Sequence, residues 1–377
     1  MKWKAIKVAH NGYDKYIRGY IGEFLKWKFE PSKEGDYFYI EALEDNTYIS
    51  IYDGSSSSKL YSNMSKFEYS FNKIKWYKLS KLPLKGGKFY FEKECDRIYL
   101  RNISGSIANT SSSGGRFFPT YESTPFKIGG DLHTVMFKYT DKVDTLGNFA
   151  FTNLFNNSYV ADASDLILPA TTVGRRTYSS MFYNSKKLKY APKVLSAINF
   201  SGDECYSKMF SLCSSLVNAP ELPATTLTEQ CYFDMFRSCS SLTKAPKILP
   251  ATTLAPNCYQ NMFYSCSSLV TAPELPATEL YSMCYYSMFY NCYALVEAPK
   301  LPATTLAASC YYGMFYNCPS LNKVVCLATD ISATSCTNNW VTWVSSTGTF
   351  IKHPDMNGWS TGNNGIPNGW TVENYTE

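Results

Sequence analysis

The segment CYFDMFRSC, residues 231–239, returns as CYQNMFYSC at 258–266, CYYSMFYNC at 284–292 and CYYGMFYNC at 310–318. A pair of cysteines in a short phrase suggests a metal site or a disulfide, but repetition makes architecture the first question. With the Met-Phe pair as a ruler, Met181, Met209, Met235, Met262, Met288 and Met314 fall at spacings of 28, 26, 27, 26 and 26 residues, and Leu154-Phe155 marks a degenerate earlier copy. Self-similarity at such a period indicates a solenoid or a propeller. Within one unit, Leu227, Cys231, Met235 and Cys239 recur at every fourth position, which predicts one apolar face of an α-helix. Thr226 and Glu229 then read as a capping box at its start. A leucine, an Ala-Pro step and Leu-Pro-Ala-Thr follow in most units, which predicts a short strand and a turn. Four propeller strands and a helix do not fit into about 26 residues, so the expectation is a solenoid of one helix and one strand per coil.

Ten of the 13 cysteines occupy two repeat columns, Cys205 to Cys310 and Cys213 to Cys318. Partners eight residues apart on a helix lie about 12 Å apart along its axis, beyond disulfide reach. Zinc sites favour close pairs, and the first coil has Thr177 and Ser185 in the two columns. The thiols are therefore expected to be buried, free and small hydrophobes, with no metal and no cofactor. Only His10, His133 and His353 are present, each in a different region and without a nucleophile beside it, and GGKFYF at 86–91 lacks the helix of a phosphate loop. No catalytic residue is assigned, and the chain is read as non-enzymatic. Asp162, Asp165, Glu221 and Glu274 keep a glycan hydrolase as a minor alternative, because paired carboxylates meet in space rather than in sequence.

The phrase MF-x-x-C-x-x-L, followed by a strand and Leu-Pro, resembles that of BspA-like leucine-rich repeats, the treponemal-type class of bacterial surface proteins, over roughly residues 150–330. It departs from that pattern by extra residues carrying Ala-Pro. The closing stretch from Cys326 looks like the end segment of such arrays in proteins of gut Bacteroidales and their phages. The resemblance implies an α/β leucine-rich-repeat solenoid over 136–330 and a C-terminal cap over 331–377, with Trp340, Trp343, Trp359 and Trp370 as its hydrophobic cover.

Residues 36–135 differ in character: YFYIEALEDNTYISIY, KIKWYKL and RIYLRN alternate as short strands between Gly, Ser and Asn turns, which predicts an all-β sandwich. Residues 1–35 mix aromatic and basic residues and read as an attachment segment or as a first element of the sandwich. The charge excess is 36 − 31 = +5, and residues 1–100 carry 18 basic against 13 acidic residues, so all of it lies there. Alternation of these lysines with apolar residues fits a solvated strand face rather than a nucleic-acid footprint. No apolar stretch is long enough to span a bilayer.

On the expected helix, Gln260 and Tyr264, Tyr286 and Tyr290, and Tyr312 and Tyr316 flank the inward stripe, while earlier coils have Ser179, Ser207 and Ser211 there. Stacked in register they form a candidate binding surface for a host-surface protein or glycan. The tyrosine after each first cysteine column, Tyr178 to Tyr311, is read as structural. The functional expectation is a virion surface appendage, a phage head or tail fibre, docked through residues 1–35. A bacterial cell-surface adhesin is the alternative, and self-association is left open.

Overall fold

The computed structural model describes residues 36–51, 58–91, 96–111, 115–118 and 123–376, with the backbone of an antiparallel strand pair, Ile6–His10 and Tyr13–Ile17. Apart from that pair, the attachment segment expected at residues 1–35 lies outside the described residues. The N-terminal part is β-rich as its alternation predicts. Arg97–Asn102 alternates half-buried and buried side chains along its length, because successive residues of a strand face opposite sides of the sheet. It lies at the middle of a six-stranded sheet in the order Val160–Ile167, Phe126–Asp131, Phe38–Ala42, Arg97–Asn102, Phe67–Ser70, Tyr77–Lys78. Among the described residues of 36–135, a two-stranded ladder, Tyr48–Ser50 with Lys88–Tyr90, stands in place of the second full sheet that a sandwich has.

The six-stranded sheet continues into the repeats. Val160–Ile167 pairs in parallel with Phe126–Asp131, and parallel bridges then run Asp162, Tyr190, Asn218, Lys244, Thr271, Glu297, Lys323, one residue per coil. The expected strand is thus broken into isolated bridges in the middle coils, at this rung and again at Val194–Glu221 and Ile248–Glu274. The reason is the Ala-Pro step: Pro192, Pro220, Pro246, Pro273 and Pro299 each stand two residues after the rung, and proline has no N–H to continue a ladder. Where that proline is missing, regular strands form: Lys323–Cys326, Thr349–Lys352 and Thr371–Asn374 make a parallel three-stranded end.

The helix expected over each cysteine phrase is absent. Its place is taken by a run of tight turns, in which alternate amides bond three residues back and across to the next coil. The amide of Met181 donates to Tyr178 (3.2 Å), whereas those of Tyr178, Ser180 and Phe182 donate to the carbonyls of Cys205, Ser207 and Met209 (2.8–2.9 Å). Every fourth residue is left-handed, as at Arg176, Ser180 and Asn184 or Ser309, Gly313 and Asn317, with φ of 53–57°. Asn, Ser, Asp and Gly fill most of these positions, the types that carry that conformation at least cost. The strict spacing of four has the same origin: an α-helix turns about 100° per residue, so steps of four drift about 40° each and cannot hold one face. The capping box has no helix to cap; the backbone of Thr226 instead bridges Thr253.

Stacked turn runs line up identical side chains. Phe182, Phe210, Phe236, Phe263, Phe289 and Phe315 stack at 5.5–5.7 Å with planes within 8°. Tyr178 to Tyr311 form a second buried column at 5.0–6.1 Å, in keeping with a structural role. The Phe column reaches back through Phe155 to Phe117, Phe118 and Phe38, so one core joins the N-terminal sheet to the coils. Each buried Phe contributes about 1.5–3 kcal/mol.

The described cysteines of both columns are free and fully buried. Those of the second column have a hydrogen-bonding use: Cys213, Cys239, Cys266, Cys292 and Cys318 each donate S–H to the Phe carbonyl of the preceding coil at 3.0–3.1 Å. Ser185 does the same toward Phe155 at 2.8 Å, which explains the serine in that column. Burial pushes the thiols up, Cys213 and Cys318 to about 12, so they stay protonated at neutral pH and keep the S–H that these bonds use.

The final stretch continues the stack rather than ending it. Trp340 takes the Met column position, stacks on Tyr311 (6.1 Å) and is stacked in turn by Trp359 (5.5 Å, 9°). Its indole N–H reaches the Gly365 carbonyl at 2.9 Å, and that of Trp370 reaches Ser345 at 2.8 Å. Trp343 does not join this cover.

Candidate recognition surface

Gln260, Tyr264, Tyr286, Tyr290, Tyr312 and Tyr316 all emerge from the turn run, half-buried, in two columns. Tyr264, Tyr290 and Tyr316 stack at 4.7 and 4.4 Å, and Tyr286 on Tyr312 at 4.8 Å, with planes within 9°. The structure brings the six positions together through turns that advance in step with the coils, not through helices. Gln260 interrupts the second column between Phe233 and Tyr286.

Two contacts of the first column were not legible as such, its own member Arg237 and, at the position of Asn317 in the next coil, Trp343. Arg237 lies over Tyr264 with its guanidinium 4.2 Å from the ring centre, closing one end. Trp343, expected in the cap, is 64% exposed and meets Tyr316 edge-on at 4.9 Å and 61°. The tyrosine faces in the middle of the column are therefore covered by neighbours, and the column presents ring edges and hydroxyls. Beside it, the Asn317 side-chain amide donates to Asn291 Oδ1 at 2.8 Å. Partial burial, then the neighbouring Tyr316 and Tyr264, push the Tyr290 hydroxyl up to about 12; it stays a neutral hydrogen-bonding group.

The turn face also changes along the stack. Residues 255–270, 281–296, 307–322 and 333–348 contain no Asp, Glu, Lys, Arg or His, whereas the earlier turn runs hold Arg176, Glu204, Lys208, Asp234 and Arg237. Glu279 and Asp330 stand just ahead of the turn runs, but most charges of the last coils are on the strand side. There Lys193, Glu221, Lys247, Glu274 and Lys300 occupy one column with alternating sign, all exposed. Asp165 precedes them, bonded to Lys127 at 2.6 Å and 3.9 Å from Lys193, and Asp162 is 4.0 Å from Lys127. The four carboxylates weighed for glycosidic chemistry are thus rungs of this face. Among the described residues, no group of three or more His, Cys, Asp or Glu is placed to hold a metal ion, and no helix is long and apolar enough to cross a membrane.

No family model matches the chain, and no curated protein does. Among solved structures, a leucine-rich repeat protein from Bacteroides ovatus ATCC 8483 is similar over 62% of this chain and 72% of its own, at 17% identity and a TM-score of 0.25.

Proposed function

We propose that the protein is a non-enzymatic recognition protein that adheres to a host surface through the turn face of its last four coils. The observation that carries this reading is the run of stacked, half-exposed tyrosines, Tyr264–Tyr290–Tyr316 and Tyr286–Tyr312, in turn runs without a charged residue, on coils whose alternating charge column lies on the strand side. Tyrosine, serine and asparagine supply contact area and adaptable hydrogen bonds at small entropic cost, as in antibody paratopes, and extended repeat surfaces serve recognition. The phrase resembling BspA-like leucine-rich repeats supports the same reading by analogy. The proposed carrier is a virion, with the protein as a head or tail fibre, and a bacterial cell is the rival; the resemblance of the closing stretch to proteins of gut Bacteroidales and their phages is compatible with both.

The test replaces Tyr264, Tyr290 and Tyr316 together with Ser and measures adhesion to Bacteroidales cells, with thermal melting as the control for folding. A folded triple variant that no longer adheres supports the surface, and one that adheres like the parent removes it. Mass spectrometry of surface-labelled purified phage and of bacterial envelopes decides the carrier.

A further inference from the structure

Trp343 is the residue of the turn face that packing does not explain. The two coils before it have Asn291 and Asn317 at the equivalent position, and all three are left-handed, Trp343 with φ 58°. Asparagine tolerates that backbone, whereas a bulky side chain there costs about 1–2 kcal/mol. The indole is nevertheless 64% exposed and has one ring contact, the edge-on meeting with Tyr316. The left-handed backbone is shared along the column, by Leu212 as well; the exposed aromatic ring carried on it at Trp343 is the outlier from which function is inferred.

Three features of the surroundings narrow the ligand. Tyr290 is covered on both faces by Tyr264 and Tyr316, whereas Trp343 meets its neighbour only at an edge and keeps a face for a flat, partly apolar ring. The groups beside it, phenol hydroxyls and side-chain amides, both donate and accept, as sugar hydroxyls do. The four turn runs hold no charged residue; Arg237 lies at the far end of the tyrosine column, over Tyr264, and the run that carries Trp343 supplies no cation for an acidic polysaccharide.

We infer that this face binds a neutral polysaccharide, with one sugar ring seated on Trp343 and the chain hydrogen-bonded along Tyr316, Tyr290, Asn317 and Asn291. The inference rests on the recognition reading above and names its ligand class. Trp343 anchors; the tyrosine and asparagine rows set direction.

The experiment is native affinity electrophoresis of the whole chain through gels containing dextran, α-mannan or xyloglucan, and separately the acidic polygalacturonate, for the parent and for Trp343→Asn. The variant restores the residue of the preceding coils, so its melting temperature stays at or above that of the parent. At least one neutral polysaccharide retards the parent, and Trp343→Asn weakens that binding tenfold or more. Retardation by none of the neutral polymers, by polygalacturonate alone, or equally of parent and variant overturns the inference. Cell adhesion separates the two levels. If adhesion is lost with Tyr264, Tyr290 and Tyr316 while no polysaccharide binds, the ligand class is wrong and the surface stands, with a protein as its partner. If adhesion survives their replacement, the surface itself is wrong.

Discussion

The last four coils carry two long faces of opposite chemistry built from the same repeats. On the strand face Lys247, Glu274 and Lys300 alternate in sign from coil to coil, Lys323 lies 3.4 Å from Glu297 and the Lys300 ammonium donates to the Tyr375 hydroxyl at 2.7 Å. The turn face has no charge at all. Exposed ion pairs are each worth about 0–1 kcal/mol, so the alternation does little for total stability. It does penalise mis-stacking: coils of nearly identical sequence that slipped by one would set like charges side by side. Such a penalty on the strand face leaves the turn face free of that task, as the proposed recognition role requires.

The sharpest way to break this division is through the core the two faces share. Phe263→Ala is expected to destabilise the chain by about 3–5 kcal/mol, read as a lower denaturation midpoint, with adhesion lost only when the fold is lost. A small effect would mean that the Phe column is not the common support.

Acid separates the core from the turn face next. His133 is buried between Phe137 and Phe151, and burial holds its imidazole down to about 4. The unfolded state then binds a proton that the folded state refuses. Stability is full above the ordinary value near 6.5 and falls as pH drops toward about 4, by on the order of 3 kcal/mol. His133→Phe should flatten that dependence in denaturation experiments from neutral to acid pH. The turn face of the last coils has no group that titrates in this range, so binding by the folded protein should not change over it.

A third test concerns what the turn face is made of. Asn317→Ala would stabilise an α-helix, by propensity; in a left-handed position, φ 56°, it is expected to destabilise by about 1 kcal/mol, and Asn317→Gly to be close to neutral. The sign of the alanine effect on the melting temperature decides between the two. The smallest effect is expected on the strand face: Lys247→Glu places three acids in a row and should cost about 0.5 kcal/mol at low salt, vanishing at high salt, without altering adhesion.

The repeat, its two buried cysteine columns and the grouping of Gln260, Tyr264, Tyr286, Tyr290, Tyr312 and Tyr316 were legible because side chains in register are set by the period alone. The local conformation was not read correctly. Leu227, Cys231, Met235 and Cys239 satisfy a helix template residue by residue, and only the absence of any step of three, with mostly Asn, Ser, Asp or Gly at the fourth positions between (here Gln230, Asp234 and Ser238), gives the turns away. Trp343 was read as cap because tryptophans cluster there; its departure from the Asn291 and Asn317 positions needed the backbone to be seen. The sandwich expectation failed where strands such as Phe126–Asp131 pair forward into the coils, a long-range choice that alternation does not encode.

The division of labour itself is tested most directly by one paired adhesion assay, in which the folded triple variant Tyr264→Ser, Tyr290→Ser, Tyr316→Ser is compared with Lys247→Ser, Glu274→Ser, Lys300→Ser on the opposite face. The account predicts that the first loses adhesion and the second keeps it. Loss of adhesion by the strand-face variant, with the tyrosine variant unaffected, would contradict it.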